Sequence, residues 1–282
     1  MPLMPALEGK ITRLRLLLKE FNQVLVCFSG GVDSGFLLAE SVAVLGDGAV
    51  ALTAVSPSLA QREGSQARLL AQKLGARHRL VESHELDDPR YAANPVDRCY
   101  FCKTEVYGLA VREAGLLKIP HVLDGFNRDD RGGHRPGHKA AFQNGVRSPL
   151  DECGFTKADI REAARRIDLP VWDKPALACL SSRFPYGTPI TPERLAQVER
   201  CEQVLQDLGF RVYRVRYHDR VARIEVAPEE FQNLLIEEVR DEVTRRFREN
   251  GFAYVALDLE GYRSGSLNET VGGGKKEFHH KD

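Results

Sequence analysis

Apolar and polar positions along the first half of the chain sort into two periods. Leu7, Ile11, Leu14, Leu17 and Phe21 recur at helical spacing and predict an amphipathic lead-in helix over 5–21. The unbroken apolar run Val24-Leu25-Val26-Cys27-Phe28 predicts a short buried strand, and Phe36-Leu37-Leu38-Ala39 then opens a helix over 34–45. A second apolar run from Ala49 to Val55, a helix over 60–74 and a strand around Arg79-Leu80-Val81 continue the alternation. A helix over 103–115 and the run His121-Val122-Leu123 close it. Strands alternating with helices predict an α/β fold with a parallel sheet covered on both faces. Residues 83–98 and 126–149 lack apolar periodicity and predict loops.

The second half carries a different pattern. Thr156 is placed to cap a helix over 157–167, and Thr191-Pro192-Glu193 opens another that runs to about Leu208. Between them, Pro175, Pro185 and Pro189 forbid a continuous helix and predict a structured loop. Residues 210–226 predict a β-hairpin turning near Asp219-Arg220, followed by a helix over 228–249 and a strand over 254–259. The expected organisation is a parallel-sheet domain over 1–152, a smaller α+β domain over 153–271 and a flexible tail over 272–282. If the hairpin turn has two residues, Arg216 lies opposite Arg223 and Arg214 opposite Glu225. Three guanidiniums on one sheet face repel unless an anion joins them, which predicts a phosphate or carboxylate site, a solvated hairpin face being the alternative.

Composition narrows the classes. A chain of 282 residues can bury a full core and build two modest domains. Lys+Arg and Asp+Glu both number 40, so no global field draws in nucleic acid or an acidic membrane. No signal-peptide layout and no apolar run of membrane-spanning length is present, which predicts a cytoplasmic protein. There, the six cysteines are expected to be free, catalytic or metal-bound rather than disulfide-paired. Cys27 and Cys201 read as packing residues and Cys153 as a linker residue, which leaves Cys99, Cys102 and Cys179.

The chemistry centres on Ser29-Gly30-Gly31-Val32-Asp33-Ser34, a tight turn between a strand and a helix. Two glycines allow a turn that a Cβ obstructs, and two serines with helix-start N–H groups form a nest for phosphate oxygens. Asp33 adds a hard oxygen ligand suited to Mg2+ carried by those phosphates. The turn lacks the Gly-Lys-Ser/Thr ending of a Walker A loop. It resembles the PP-loop of ATP pyrophosphatases, S-G-G-x-D-S, which implies ATP cleavage between the α and β phosphates and an adenylated substrate. Ligands of such sheets sit beyond the carboxyl ends of the strands, so Ser56, Asp124 and Gly125 are further candidate nucleotide contacts. Asp-Gly after a strand is also ordinary turn chemistry.

Cys99-Tyr100-Phe101-Cys102 lacks the second pair or spaced histidines of a zinc site. His134 and His138, with Pro136 and Gly137 between them, read as loop residues. Cys99, Cys102 and Cys179 together offer three thiolates to a 4Fe–4S cluster, leaving one iron open for an exchangeable sulfide; two inert thiols in the C-x-x-C pair are the alternative. Cys179 sits in the Pro-bounded loop, followed by Ser181, Ser182 and Arg183, a cation suited to lowering its pKa. A thiolate beside an adenylated carboxylate displaces AMP and forms a thioester; a buried structural thiol is the other reading.

Three stretches together identify a more specific resemblance. Ser29–Ser34, Ala178-Cys179-Leu180-Ser181-Ser182-Arg183-Phe184-Pro185-Tyr186-Gly187 and Leu257-Asp258-Leu259-Glu260-Gly261-Tyr262-Arg263-Ser264-Gly265-Ser266 resemble the LarE family of ATP-dependent sulfur transferases in nickel-pincer nucleotide biosynthesis. Gly145-Val146-Arg147-Ser148-Pro149-Leu150 also fits. The resemblance implies Mg-ATP-dependent adenylation of a carboxylate of pyridinium-3,5-biscarboxylic acid mononucleotide, then sulfur insertion at the cysteine matching Cys179. Single-cysteine members surrender the cysteine sulfur and keep dehydroalanine, whereas members with the three-cysteine pattern of Cys99, Cys102 and Cys179 are associated with a 4Fe–4S cluster. Under this resemblance Arg214 and Arg216 suit the substrate phosphate, Ser182 and Arg183 flank the substrate, and Glu202 or Glu225 assists near the thiol. The expected partner is a small-molecule nucleotide, without membrane or nucleic acid, and the expected assembly a homo-oligomer. A tRNA-thiolating PP-loop enzyme, which needs a basic surface, and a non-catalytic nucleotide-binding module are the competing readings.

Overall fold

The computed structural model describes residues 3–132, 136–175, 178–263 and 265–267. Among the described residues, seven strands form two sheets: β1 Val24–Cys27, β2 Ala49–Val55, β3 Arg77–Glu82 and β4 His121–Leu123 in the first; β5 Tyr213–His218, β6 Val221–Val226 and β7 Tyr254–Leu257 in the second. The helices are α1 Leu3–Phe21, α2 Val32–Leu45, α3 Gln61–Lys73, α4 Pro89–Ala92, α5 Arg98–Leu117, α6 Pro136–Gln143, α7 Pro149–Glu152, α8 Lys157–Arg166, α9 Pro192–Asp207, α10 Phe231–Leu235 and α11 Glu237–Glu249.

The first sheet is wholly parallel in the order β3-β2-β1-β4, with Val24 paired to Ala49 on one side and His121 on the other. Strand alternation divides its apolar side chains between two cores. Val24, Val26, Ala49 and Ala51 pack with α1, α2 and α8, whereas Leu25, Val50, Leu52 and Val122 pack with Tyr107, Ala110 and Ala114 of α5 and Ala140 and Ala141 of α6. This is the α/β layering that the run of elements predicts. The second sheet has the order β5-β6-β7, with β5 and β6 antiparallel and β6 and β7 parallel. Its hairpin turns at Asp219, in the left-handed region at φ +51°, and pairs Arg216 with Arg223 and Arg214 with Glu225, the expected register.

The chain separates into two compact units, Met1–Ala92 with Asp97–Cys179, and Ala93–Val96 with Leu180–Asp282. The division falls after Cys179 rather than near residue 152. Ile160, Ala163 and Ala164 of α8 are buried in the same core as Phe36 of α2, and Phe155 meets Phe36 with ring centroids 5.7 Å apart. Three further elements differ from the sequence expectation. Helix α5 begins at Arg98, so the C-x-x-C pair forms its first turn. Helix α6 lies in the expected loop 126–149 and starts at Pro136, where a proline costs no intrahelical hydrogen bond. The expected helix 228–249 breaks at Ile236, whose ψ of 132° is extended. The tail 272–282 and His134 lie outside the described residues. Among the described residues, no helix is long and apolar enough to cross a membrane.

One backbone contact fixes the end of the first sheet. A Cβ on Gly125, just past β4, would stand 2.9 Å from the Ser34 backbone nitrogen and 3.2 Å from its Cα. Neither atom can yield without moving the start of α2. Gly125→Ala is expected to destabilise the protein by about 1–3 kcal/mol, as overpacking does. Gly108→Ala, in helix α5 with nothing within 4 Å of the added Cβ, is the control and is expected to stabilise by about 0.5–1 kcal/mol. Urea denaturation of the two variants beside the parent chain checks the contrast.

Candidate functional site

The S-G-G-V-D-S turn joins β1 to α2 at the carboxyl edge of the first sheet. Gly30 holds φ +74°, the left-handed conformation that favours glycine, and its Cβ position would lie 3.0 Å from Ala67 Cβ. Gly31 is an extended N-cap at φ −82°, so of the two only Gly30 needs the left-handed region. The hydroxyls close the turn on itself: Ser29 and Ser34 Oγ lie 3.1 Å apart, and Ser34 Oγ accepts from the Ser29 N–H at 3.2 Å. Asp33, in the first turn of α2, pairs through Oδ2 with the Lys157 ammonium, while its Oδ1 is buried with no hydrogen-bond partner. Burial pushes the Asp33 carboxyl up, and Lys157 opposes that shift. A buried carboxylate oxygen without a donor beside a nest of helix-start N–H groups fits a hard divalent cation.

Lys157 escaped the sequence reading, yet its position held a signal. It occupies the first residue of α8, behind the Thr156/Asp159 capping box, where the helix dipole disfavours a cation. Lys174 is a second lysine at the turn, donating to Glu63 Oε2 at 2.7 Å, Gln66 Oε1 at 2.8 Å and the Gly30 carbonyl at 3.5 Å. Arg161 fixes the same segment through the carbonyls of Trp172 and Lys174. No local pattern marks these contacts, because their partners lie more than 100 residues away or across a loop.

The other strand exits are more committed than their spacing suggests. Ser56, after β2, donates to Glu85 Oε1 at 2.5 Å, Ser58 to the same oxygen at 2.6 Å and Ser83 to Oε2 at 2.6 Å. Glu85 is thereby a buried knot that holds the loop after β2. Asp124 accepts from Tyr107 Oη at 2.7 Å, Ser148 Oγ at 2.7 Å and the Phe126 N–H at 3.1 Å. Its carboxylate therefore braces the β4 exit, and Gly125 provides the close approach to α2.

Cys99 and Cys102 stand three residues apart on the first turn of α5 and so share a face, in the same compact unit as Cys179. Burial pushes the Cys102 thiol up, and the charges of Cys179, Glu85 and Cys99 push it the same way against Lys103. Cys27, by contrast, is raised to about 12 by burial and the nearby Asp124 charge, which keeps it a thiol. Cys153 and Cys201 are buried. Among the described residues, no three His, Cys, Asp or Glu side chains converge on a single metal ion. A 4Fe–4S cluster asks for something else, soft thiolates each on its own iron, and the three thiols have that donor chemistry.

In the second unit, the Arg face predicted from the hairpin is real, but its charges are largely compensated. Glu225, 1 % exposed, accepts from Arg216 at 2.9 and 2.8 Å and from Arg223 at 3.1 Å. Arg223 also pairs with Asp258 at 3.0 Å. Arg183 grips Glu202 through two bonds of 2.9 and 3.0 Å and donates to Ser182 Oγ, while Arg216 donates to the Ser182 carbonyl at 2.8 Å. Glu202 further accepts from the Val215 N–H at 3.0 Å. Arg183, Arg216, His218, Arg223, Arg263 and Ser266 line a cavity of about 190 Å³, and the Arg223 Nε is buried without a partner. Arg214 donates instead to the Tyr213 carbonyl and lies 5.0 Å over the Tyr262 ring; burial and Arg183 lower its proton affinity.

His218 makes this cavity pH-sensitive. Burial, Arg223 and Arg216 hold its pKa below the ordinary 6.5, so it is neutral at pH 7.5 in the empty cavity. A bound anion favours the imidazolium, so affinity rises as pH falls below about 6.5. Sulfate, which does not titrate there, is expected to bind more tightly at pH 5.5 than at pH 7.5, with the difference lost in His218→Gln. Isothermal titration of sulfate into both proteins checks the sign.

No protein-family model matches the chain. It is 45% identical over 265 residues to an uncharacterised protein of Synechocystis sp., covering 94% of this chain and 99% of that protein. It is 28% identical over 261 residues to an uncharacterised protein of Methanocaldococcus jannaschii, covering 90% and 98%. A third relative is pyridinium-3,5-bisthiocarboxylic acid mononucleotide synthase of Lactiplantibacillus plantarum, 38% identical over 269 residues that cover 95% of this chain and 97% of the synthase. Similarity at that level along nearly both full lengths shows the family: the chain belongs to the LarE family, that of the pyridinium-3,5-bisthiocarboxylic acid mononucleotide synthase.

Proposed function

We propose that the protein is an ATP-dependent sulfur transferase of nickel-pincer cofactor synthesis. It adenylates a carboxylate of pyridinium-3,5-biscarboxylic acid mononucleotide and replaces carboxylate oxygen with sulfur at Cys179. The observation that carries this reading is the coexistence, in one compact unit, of the S-G-G-V-D-S turn with its partnerless Asp33 Oδ1 and the thiols Cys99, Cys102 and Cys179. The name of the Lactiplantibacillus relative supports the substrate class.

Mg2+ would be held by Asp33 together with ATP phosphate oxygens, supplying charge neutralisation at the pyrophosphate leaving group. Lys157, which pairs with Asp33, would be placed to donate to the same phosphates. The turn N–H groups with Ser29 and Ser34 hold the β and γ phosphates, and Ser56 borders the nucleotide at the β2 exit. The substrate carboxylate then attacks the α phosphorus, and pyrophosphate leaves. In the sacrificial route the Cys179 thiolate attacks the acyl carbon and expels AMP, giving a thioester. Arg183, Arg216, Arg223 and His218 suit the substrate phosphate, with Arg214 supporting that face, and Glu202 and Glu225 fix the guanidiniums.

Two fates of sulfur are distinguished by the cysteine count. In the sacrificial route, loss of the Cys179 Cα proton and cleavage of its Cβ–S bond release a thiocarboxylate and leave dehydroalanine. In the route we favour, Cys99, Cys102 and Cys179 would instead hold a 4Fe–4S cluster as its three thiolate ligands, and the chemistry it would supply is an exchangeable sulfide. Anaerobically purified protein is expected to carry about four irons per chain, lost in Cys99→Ala. An iron-free protein after anaerobic reconstitution, with sulfur lost from Cys179 on turnover by intact mass, supports the sacrificial route instead.

Assays of pyrophosphate and thiocarboxylate test the assignment. Asp33→Asn is expected to abolish pyrophosphate release while retaining iron. Lys157→Ala is expected to raise the KM for ATP roughly 10-fold or more, the loss of a charge-assisted contact. Cys179→Ala is expected to release pyrophosphate in a single turnover yet form no thiocarboxylate. Full thiocarboxylate yield from Cys179→Ala would refute the role of that thiol, and ATP binding without pyrophosphate release by the parent chain would leave a non-catalytic nucleotide-binding module.

A further inference from the structure

The chain enters the second unit briefly at Ala93–Val96, returns to the first unit for Cys99 and Cys102, and enters the second unit again after Cys179. At the first of these visits lies Asn94, fully buried and in the left-handed region at φ +55°. Pro95 biases its predecessor towards extended backbone, so this conformation runs against the local preference. What holds it is a set of contacts made on the second visit. Asn94 Nδ2 donates to the Pro185 carbonyl at 2.8 Å and to the Phe184 carbonyl at 3.4 Å, and the Asn94 carbonyl accepts from the Gly187 N–H at 2.9 Å. Gly187 itself has φ +81°, so both sides of the contact are turned into shape. Every partner belongs to the second unit.

The position of this clasp in the sequence gives it consequence. Asn94 stands five residues before Cys99, and Phe184 stands five residues after Cys179. Without the clasp, Cys99 and Cys179 are joined through about eighty residues of intervening chain. With it, a path of about eleven residues also joins them, and an extended chain spans no more than about 3.5 Å per residue. The clasp therefore bounds how far the two cysteine segments can part. Asn is suited to the position on two counts: it tolerates the left-handed region better than most residues, and its amide supplies the two donor hydrogens.

We infer that Asn94 is a positioning residue for the three-cysteine site, its buried amide clasping the chain that leaves Cys179 to the chain that leads into Cys99. The inference rests on the reading that the three thiols act together. It concerns which residue brings them together, and no contact with substrate is involved. Asn94→Gly keeps access to the left-handed backbone and removes the side-chain bonds. Asn94→Asp keeps the size and sets a carboxylate against two carbonyl oxygens.

The test is a thiol-proximity measurement on the full chain, reduced and freed of iron. Diamide is added, samples are quenched with iodoacetamide over time, and peptide mapping under non-reducing conditions quantifies the links from Cys179 to Cys99 and Cys102. The parent chain is expected to form these links readily. In Asn94→Gly and Asn94→Asp the rate is expected to fall clearly below that of the parent. ATP affinity at the turn after β1 is expected to stay within two-fold of the parent, roughly the scatter expected for a distant independent site. An unchanged linking rate in both variants, with only a lowered melting temperature, overturns the inference and leaves the joint action of the thiols standing. Absence of Cys179 links in the parent chain overturns that joint action and the inference with it. If Asn94→Asp does not fold, Asn94→Gly alone decides.

Discussion

The first unit depends on backbone meeting backbone at the carboxyl edge of its sheet. Gly125 lies against the start of α2 so closely that no Cβ fits, and Gly30 lies against α3 in the same way. These approaches exclude side chains from the floor of the site and leave main-chain N–H groups exposed at a helix start, the arrangement that suits phosphate. Charge is then added sparingly. Asp33 provides the one carboxylate of the turn, and Lys157 stands on it from the first residue of a helix that otherwise repels cations. A lysine in that place neutralises a half-buried carboxylate and ties the turn to the start of α8.

Much of this was legible because it is local. Strand and helix periods, the S-G-G-V-D-S turn, the Thr156 and Thr191 caps and the hairpin register are all written within short windows, and each has its counterpart in the structure. The start of α5 was not legible. Asp97-Arg98-Cys99-Tyr100 has no strong capping signal, and the Asp97 side chain makes no cap hydrogen bond, so tertiary packing sets the helix start. Pro136 misled in the opposite direction, since a proline that ends a helix from inside begins one at its first turn.

The electrostatics of the second unit show where pattern reasoning stops. Alternation along β5 and β6 brings Arg214, Arg216 and Arg223 to one face, and from the sequence alone repulsion among them calls for an outside anion. The structure relieves it from within. Glu225, read from the sequence as an auxiliary near the thiol, is the shared acceptor of Arg216 and Arg223, and Glu202 does the same for Arg183. The Glu225 pairs lie within the hairpin register, whereas the pair between Arg183, in the turn before α9, and Glu202 of α9 cannot be deduced from a two-residue period. Asn94 and Lys174 were invisible for the same reason, their partners lying about ninety residues or more along the chain.

That internal compensation bears on what the cavity can recognise. A surface built for nucleic acid keeps its arginines and lysines solvated and free to release counterions along a backbone of many phosphates. Here the guanidiniums of Arg183 and Arg216 are buried and held in place by carboxylates before any ligand arrives. Their long-range field is weak, in keeping with a chain whose formal charges cancel. What remains is geometry: fixed N–H directions and an imidazole whose pKa is held down by burial and the neighbouring guanidiniums. Such a site gains little from a polyanion and much from one compact phosphate that reaches several donors at once. The single phosphate of the mononucleotide we propose as substrate would meet that requirement better than a tRNA backbone.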